Sequence, residues 1–291
     1  MTTHDETEEA FTALADSKRV AILRILWERE SAATFTELRE ALGMRDSGKF
    51  NYHLDQLTGR FVSKTDNGYH LTIAGRLVYG SILSGAYTKE DSLEPIALAE
   101  PCPACGGSRT LTYSDETVRV ECDSCKVSPS AGVPPGVFAS YDRDAVPAVA
   151  NRYFRTIVRQ ADNGFCWYCE GKTTPTIVLM SDILGKDVEH LGGSDELPVV
   201  QYGCERCGSS LTVNLGNSLL SHPAVVSFYY DHDINVQETS LWEFATWNTD
   251  RTRVLDSDPF RVSVSYHAGG ERLDIIVNES LDVVETECLP E

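Results

Sequence analysis

Hydrophobic residues recur with a helical period through the first part of the chain. A short segment from Glu8 to Leu14 shows this period. A second, from Asp16 to Arg29, has a wide apolar face behind Asp16, a residue type that caps helix N-termini. FTELREAL, at 35–42, keeps the same spacing, with Thr34 or Thr36 as its cap and Gly43 as its stop. The pattern predicts three consecutive helices.

A fourth amphipathic segment, DSGKFNYHLDQL at 46–57, separates apolar from polar side chains sharply. Phe50, Leu54 and Leu57 share one face at 100° per residue, so we expect that face to be buried. The opposite face and its flanks carry Lys49, Asn51, Tyr52, His53 and Gln56. Side-chain amides form hydrogen bonds with adenine, and cationic side chains bind guanine or phosphate, so these side chains suit the DNA major groove. Ser47, at the start of the segment, joins these candidate DNA contacts, and Asp46 or Ser47 is the cap.

Two short strand-like runs at 61–72 flank Asp66, Asn67 and Gly68, a signal for a hairpin turn. Lys64 lies on one arm, beside the turn. An apolar segment from Ile73 to Tyr87 follows, which predicts a helix able to pack against a second subunit. Helices, a turn, a polar-faced helix and then a hairpin are the order of a winged helix-turn-helix domain.

Eight of the nine cysteines form four C-x2-C pairs. The pairs are Cys102 with Cys105, Cys122 with Cys125, Cys166 with Cys169, and Cys204 with Cys207. Two residues between cysteines let both thiolates approach one tetrahedral ion. Leu111 and Tyr113 alternate with polar residues on one arm of the first spacer, and a turn is predicted at 114–116. The first four cysteines therefore predict a zinc ribbon with a structural Zn²⁺.

The other two pairs are separated by a longer spacer, which we interpret as a second ribbon with an insertion. Thr176–Met180 and Pro198–Tyr202 would be its strands, around an inserted segment from Ser181 to Leu197. We expect these four cysteines to share a second structural Zn²⁺, although the spacing leaves an exchange of pairs between the ribbons open. Four thiolates leave no open position for catalysis, so no enzyme is predicted; oxidation with zinc release is left open.

The remaining segments predict an α+β protein. SPSAGVPPG leads to an amphipathic helix near Ala145–Ala161 that bridges the ribbons. A strand, a helix near Leu219–Tyr230 and a strand meander from Leu241 complete the chain, and Phe260–Tyr266 with Arg272–Val277 form the clearest hairpin. We predict a winged helix-turn-helix domain at 1–90, a first zinc ribbon at 98–136, a bridging helix and second ribbon at 137–215, and a C-terminal α+β region at 216–291 that contains an antiparallel β-rich segment.

The formal charge of −19 is unevenly distributed. Residues 1–90 hold 11 Lys and Arg against 13 Asp and Glu, a balance of −2, so residues 91–291 carry −17. Any nucleic-acid contact is therefore expected from the N-terminal part. Abundant carboxylates and little lysine are typical of a halophilic cytoplasm, with an ordinary acidic protein as the alternative. No apolar stretch is long enough for a membrane span and the N-terminus is acidic, which predicts a cytoplasmic protein.

The segments LADSKRVAILRIL, FTELREAL and KFNYHLDQL resemble ArsR-type winged helix regulators, especially those of haloarchaea. This resemblance covers about the first 85 residues. SHPAVVSFYYDHDINV and LWEF resemble the C-terminal half of haloarchaeal ArsR-like proteins. The resemblance implies a homodimer in which Lys49, Asn51, Tyr52, His53 and Gln56 face double-stranded DNA and Lys64 belongs to the wing. FTELREAL has no cysteine, which excludes the metal sensing that some members perform at this helix.

These features together predict a homodimeric, sequence-specific transcription regulator with an acidic zinc-binding region. That region would set dimer geometry, sense a small-molecule effector or contact a partner. One alternative is a basal factor related to the α subunit of eukaryotic transcription factor E, which would bind RNA polymerase. Another is a winged helix that binds protein instead of DNA. A zinc-dependent enzyme is disfavoured, because no nucleophile and base are paired in the sequence.

Overall fold

The computed structural model describes residues 4–29, 31–85, 87, 92–125, 128–184, 197–244, 246 and 249–291. The chain divides into two units: Met1–Lys89 with Pro134–Gly136, and Glu90–Val133 with Val137–Glu291. Helices combine with antiparallel sheets, which confirms the α+β class. The four-part division of the chain stays a prediction. No helix in the described residues is long and apolar enough to cross a membrane.

The first unit consists of helices and one hairpin. The helices are α1 (His4–Leu14), α2 (Ser17–Trp27), α3 (Phe35–Ala41), α4 (Ser47–Leu57) and α5 (Ile73–Leu83), and the hairpin pairs β1 (Val62–Thr65) with β2 (Gly68–Leu71). Asp16 caps α2, and Thr34 forms a capping box with Glu37 at the start of α3. Asp46 caps α4. Helix α5 ends at Leu83, before the predicted Tyr87.

The core of the first unit confirms the predicted inward face of α4. Phe50, Leu54 and Leu57 are completely buried, together with Ile22 of α2 and Leu38 of α3. Each such side chain contributes about 1.5–3 kcal/mol through burial. The apolar stripe of α4 is therefore fully used inside the unit, which leaves its polar stripe on the outside.

The hairpin of the first unit is joined to the segment before α3. Ala33 and Tyr69 exchange two backbone hydrogen bonds, of 2.9 and 2.8 Å. Gly68 has a φ of +120°, and a Cβ there would lie 2.5 Å from the carbonyl oxygen of Ala33. Only glycine permits both this φ and this close approach. The turn glycine thus sets where the hairpin sits relative to α3.

Two small antiparallel sheets of the second unit carry the paired cysteines. The first sheet has the order β3 (Leu93–Ala97), β4 (Arg109–Ser114), β5 (Thr117–Cys122) and β6 (Ser130–Gly132). The second has the order β7 (Thr173–Leu179), β8 (Pro198–Cys204) and β9 (Ser210–Asn214). The turn between β4 and β5 lies at Asp115 and Glu116, whose positive φ values of 50° and 54° suit a tight hairpin.

Two expectations about these sheets need correction. The stretch SPSAGVPPG was expected to be a plain connection, but it contains β6, which pairs with β5 through Val118 and Ala131. The strand expected after the second ribbon is β9, and it belongs to the ribbon sheet itself because it pairs with β8. Of the inserted segment Ser181–Leu197, the first part lies in α7 (Met180–Leu184) and residues 185–196 lie outside the described residues.

The remaining elements of the second unit pack against both of these sheets. It comprises α6 (Val146–Asp162), α8 (Leu215–Ser218), α9 (Pro223–Asp231), and a sheet of β10 (Thr252–Ser257), β11 (Phe260–Ala268), β12 (Glu271–Asn278) and β13 (Val283–Pro290). Tyr202, Leu215, Tyr266 and Ile275 are almost completely buried in the shared core. The buried Tyr266 hydroxyl donates to the Gly216 carbonyl at 2.7 Å. This bond ties the C-terminal sheet to α8.

Two further predictions about this region were wrong in detail. The helix expected near Leu219–Tyr230 is interrupted, because 219–221 form a 3-10 turn and Pro223, which lacks an N–H, starts a new helix capped by His222. The strand expected from Leu241 is a 3-10 turn over Leu241–Glu243, and the strands begin only at Thr252.

Candidate metal centres and candidate nucleic-acid interface

The first cluster of thiols lies at the ends of β4 and β5. The Sγ atoms of Cys102, Cys105, Cys122 and Cys125 are all within 4.8 Å of one another. The Sγ–Sγ distance is 3.7 Å between Cys102 and Cys125 and 3.5 Å between Cys105 and Cys122. We call this group the first quartet. It joins the two C-x2-C pairs that the sequence predicts to belong together.

The second cluster lies at the corresponding end of the other sheet. Cys166, Cys169, Cys204 and Cys207 also have their Sγ atoms within 4.8 Å of one another. The Sγ–Sγ distance is 3.7 Å between Cys166 and Cys207 and 3.5 Å between Cys169 and Cys204. We call this group the second quartet. The structure therefore groups the cysteines sheet by sheet, without the exchange of pairs that the spacing left open.

These distances fit one metal ion in each quartet. Four sulfurs around Zn²⁺ at about 2.3 Å form a tetrahedron with edges of about 3.8 Å, close to the observed 3.5 and 3.7 Å. A disulfide needs sulfurs at about 2.05 Å, and all eight cysteines are free. Four thiolates in tetrahedral array select Zn²⁺ or another soft ion and leave no position for a substrate.

The three cysteine turns that the structure describes over their full length share one backbone pattern. The N–H of Cys102, Cys166 and Cys204 donates to the carbonyl five residues later, at 2.8, 2.8 and 2.9 Å. The residue four positions after each of these cysteines donates back to the cysteine carbonyl and has a positive φ: Gly106 (76°), Glu170 (55°) and Gly208 (74°). Glycine adopts this conformation freely, so Glu170 holds the turn of the second quartet under backbone strain.

Hydrogen-bond donors lower the pKa of some of these thiols, whereas burial raises the pKa of Cys169, and, against the Gly107 N–H, contacts with neighbouring thiols raise the pKa of Cys105. The Ser209 hydroxyl lies 3.0 Å from Sγ of Cys207, and this contact, with the Ser209 backbone N–H, lowers the pKa of Cys207 to about 6. Burial opposes ionisation of Cys122, but N–H groups of Cys125 and Ser124 lower its pKa to about 7. The thiolate is the form that binds metal. Ser209 was not predicted from the sequence; the signal that marks it is a hydroxyl residue two positions after the last cysteine of the quartet.

Gly171 lies directly against the second quartet. A Cβ at this position would lie 3.1 Å from Sγ of both Cys169 and Cys204, and 2.8 Å from the Cβ of Arg206. The Gly171 carbonyl accepts the N–H of Cys166 at 2.8 Å. A residue without a side chain is therefore required where the backbone turns beneath two of the four sulfurs.

The polar face of α4 is largely open. Ser47, Lys49, Asn51, Tyr52 and Gln56 are exposed, and Tyr52 keeps 60% of its surface accessible. Lys64 is exposed on β1, with its Nζ 5.6 Å from the ring centre of Tyr69. Lys49, Tyr52 and Gln56 form one stripe along the helix, since they are three and four residues apart.

Two predicted contact residues are engaged inside the unit. The Asn51 Nδ2 donates to Asp55 Oδ2 at 2.6 Å, which occupies part of its amide. His53 is half-buried, and its Nδ1 lies 3.7 Å from the carboxylate of Asp16, the cap of α2. This position favours a packing role for His53, so the open surface of α4 is narrower than the sequence pattern suggests.

The fold and the two quartets define an α+β protein with two four-cysteine clusters that fit zinc ribbons. Residues 99–283 match the family model described as "Domain of unknown function (DUF7351)", which covers more than half of the chain, so the chain belongs to this family. Residues 7–82 match a second model, described as "Domain of unknown function (DUF7347)". No curated protein and no solved structure matches the chain.

Proposed function

We propose that this protein is a homodimeric, sequence-specific transcription regulator that binds double-stranded DNA through α4. The observation that carries the proposal is the exposed polar face of α4, set between the short helix α3 and the β1–β2 hairpin. This order of elements supports a winged helix-turn-helix domain, in which the second helix of the motif would enter the major groove. The apolar face of the same helix is fully buried, so its polar face has no role in the core of the unit.

The individual contacts follow from the position of each side chain. Lys49, Tyr52 and Gln56 are the expected base and phosphate contacts along the exposed stripe. Ser47, the first residue of α4, would contact phosphate, which binds at helix N-termini. Lys64 on the hairpin would contact the adjacent backbone. Asn51 would exchange its bond to Asp55 for a base, and His53 is expected to support the helix instead of touching DNA.

Exposed apolar side chains support the homodimer. On α5, Ile73 and Leu77 are one helical turn apart and are 77% and 67% exposed, while Phe11 on α1 is 70% exposed. Covering a large apolar side chain is worth about 1.5–3 kcal/mol. A second copy of the chain that covers these faces would place two α4 helices on successive major grooves.

We propose Zn²⁺ at both quartets, held by Cys102, Cys105, Cys122 and Cys125 and by Cys166, Cys169, Cys204 and Cys207. When bound, Zn²⁺ supplies a cross-link of four sulfurs that stabilises each small sheet. Each quartet joins two short cysteine turns at the end of its sheet, which a bound ion would hold together. The proposed role is therefore structural, and we propose no catalysis there.

A second candidate function is a basal transcription factor that docks on RNA polymerase. The observation that favours it is a pair of exposed aromatic residues beside the second quartet, Phe165 at 54% and Tyr168 at 75% exposure. Aromatic side chains are enriched at protein interfaces. In that case the α4 surface would bind DNA without sequence preference.

Genome-wide occupancy separates the two candidates. Discrete peaks that share a motif support the regulator, whereas uniform signal at promoters together with co-purification of polymerase overturns it. Binding to the recovered motif then tests α4 directly. Lys49→Ala and Gln56→Ala are each expected to weaken binding about tenfold, because a good base contact is worth roughly 1–3 kcal/mol. Arg24→Ala removes one exposed positive charge from α2 and is the matched control. Equal affinity of all three variants would contradict the assignment.

A further inference from the structure

A mostly apolar cavity of about 130 Å³, partly open to solvent, lies in the second unit, where the two cysteine-bearing sheets approach α6. Phe154, Ile157 and Val158 of α6 form one wall, and Leu211 and Val213 of β9 form another. Trp242 and Ala131 also line the cavity, the latter from β6. Strands β6 and β9 are the outer strands of their sheets, so the cavity lies between two sheet edges.

The size and lining of the cavity restrict what it can hold. A closed, wholly apolar protein cavity of about 150 Å³ binds benzene, which gives the scale for the present cavity, whose lining is mostly apolar but includes Ser130, Thr212 and two asparagines. None of the described residues that line the present cavity is charged. The free energy needed to move a charged group from water into such surroundings is far larger than the free energy gained from one contact there. The occupant expected here is therefore uncharged, apolar and about the size of a single ring.

Asn217 is one of several polar groups in the lining, beside Ser130, Thr212 and Trp242, and its amide has a donor that no described residue accepts. Asn217 accepts the Thr246 hydroxyl on its Oδ1 at 2.9 Å, which fixes the orientation of its amide. Its Nδ2 has no acceptor among the described residues. Asn214, also in the lining, is already satisfied, because its Nδ2 donates to the Thr246 carbonyl at 2.6 Å and its Oδ1 accepts two backbone N–H groups. The free donor of Asn217 selects a ligand that carries a hydrogen-bond acceptor.

We propose that this cavity is a binding site for a small, uncharged, single-ring or similarly sized apolar molecule with one carbonyl or ether-type acceptor directed at Asn217 Nδ2. The site is distinct from the metal quartets and from α4, and it does not rest on DNA binding. A ligand there would touch α6 and both sheets at once. It would therefore stabilise the second unit by mass action.

Fluorine NMR titration of the full-length, metal-loaded protein tests the proposal. The probe is para-fluoroacetophenone, a single ring with a ketone acceptor, and its resonance is expected to shift saturably. Para-fluoroethylbenzene has a similar shape without the acceptor and is expected to bind roughly fivefold more weakly, the effect of one neutral hydrogen bond. Para-fluorobenzoate is expected not to bind. Non-saturable shifts, or tighter binding of the benzoate, would overturn the proposal.

Two variants fill the cavity from opposite sides, Ala131→Phe from β6 and Val158→Phe from α6. Both are expected to abolish saturable binding. Ala139→Phe, at an exposed position outside the lining, is the matched control and keeps it. Metal content and cooperative unfolding verify that each variant folds. Nuclear Overhauser contacts between the ketone methyl and Ile157 and Val158 test the site in the unaltered chain. Such contacts at other residues, or undiminished binding to a folded Ala131→Phe variant, would overturn the assignment.

Discussion

A single methyl group at Gly171 is expected to weaken metal binding at the second quartet. In a Gly171→Ala variant the new Cβ meets Sγ of Cys169 and Cys204 at 3.1 Å and the Cβ of Arg206 at 2.8 Å. Ordinary carbon contacts lie at about 3.5–4.0 Å. None of these three atoms is the free end of a flexible side chain, because a Cβ is fixed to its backbone and the sulfurs belong to the quartet, so the methyl group must displace them.

The magnitude follows from the geometry. Restoring ordinary contacts requires each of the two sulfurs to move by roughly 0.5 Å. Metal–ligand distances at a good site vary by only about 0.2 Å. Changes next to the ligands of a metal site typically cost 10–100-fold in affinity, about 1.4–2.8 kcal/mol. We expect Gly171→Ala to fall in this range, with the first quartet unaffected.

The assay is competition with a chromophoric zinc chelator, performed on reduced, zinc-loaded protein. The unaltered protein is expected to release both ions at high chelator concentration, and Gly171→Ala to release one of them at a concentration 10–100-fold lower. Gly203→Ala is the matched control, because Gly203 immediately precedes Cys204 and a Cβ there meets no atom within 4 Å. It adds the same methyl group beside the same quartet without touching sulfur.

Equal chelator resistance of Gly171→Ala and Gly203→Ala would refute the reasoning. Cys204→Ser then separates two causes. If it lowers the zinc content by one ion per chain, the second quartet binds metal but tolerates the methyl group. If the zinc content is unchanged, the second quartet does not hold the metal.

Three further predictions concern stability. Glu170→Gly removes the strain at φ 55° and is expected to raise the thermal midpoint of the metal-loaded protein, because the left-handed conformation costs a non-glycine residue about 1 kcal/mol; a lower midpoint would argue against strain. Asp16→Ala removes the cap of α2 and is expected to lower the free energy of unfolding in urea by about 1 kcal/mol, while Asp16→Asn is expected to keep most of the stability that the cap provides. Burial opposes ionisation of the Asp16 carboxyl, but the N–H groups of Lys18 and Arg19 lower its pKa below the ordinary value of 3.8. The stability that Asp16 contributes is therefore complete above pH 3.8 and is lost as the pH falls through the lower pKa of the folded state. A stability difference between Asp16→Ala and the unaltered protein that stays constant down to strong acid would contradict this. Ile275→Ala is expected to cost 2–5 kcal/mol, roughly, because Ile275 is fully buried, and Ile276→Ala, from the half-buried face of β12, clearly less; equal costs would show that the two faces are not distinct.

Features that depend on neighbouring residues were predictable. The caps at Asp16 and Asp46, the buried face of α4 and the turn at Asp115 and Glu116 all agree with the structure. Each of these depends on a hydrogen bond or a periodicity that extends over a few residues. The two cysteines of each C-x2-C pair could likewise be predicted to share a metal site, since both sulfurs come from one short turn.

Features that depend on distant pairing were missed or left open. Strand β6 has three residues and lies in a Pro- and Ser-rich stretch, so its pattern is too short to indicate a strand. His53 is polar by type, but its position next to Asp16 depends on how α4 packs against the start of α2. The left-handed backbone conformation at Glu170 is not indicated by a glycine in the sequence. It is recognised only by comparison with the equivalent positions of the other cysteine turns, Gly106 and Gly208.

Sequence alone determined most of the helices and strands, the polar face of α4 and the eight candidate ligands, because local periodicity and residue chemistry specify these. Tertiary structure decided which cysteines share a site, which polar side chains of α4 remain open, and that two sheet edges and α6 line a mostly apolar cavity. These outcomes depend on how segments that are far apart in the chain pack together. Hydrophobic burial, which sets that arrangement, depends on area and not on direction, so no short stretch of sequence records it.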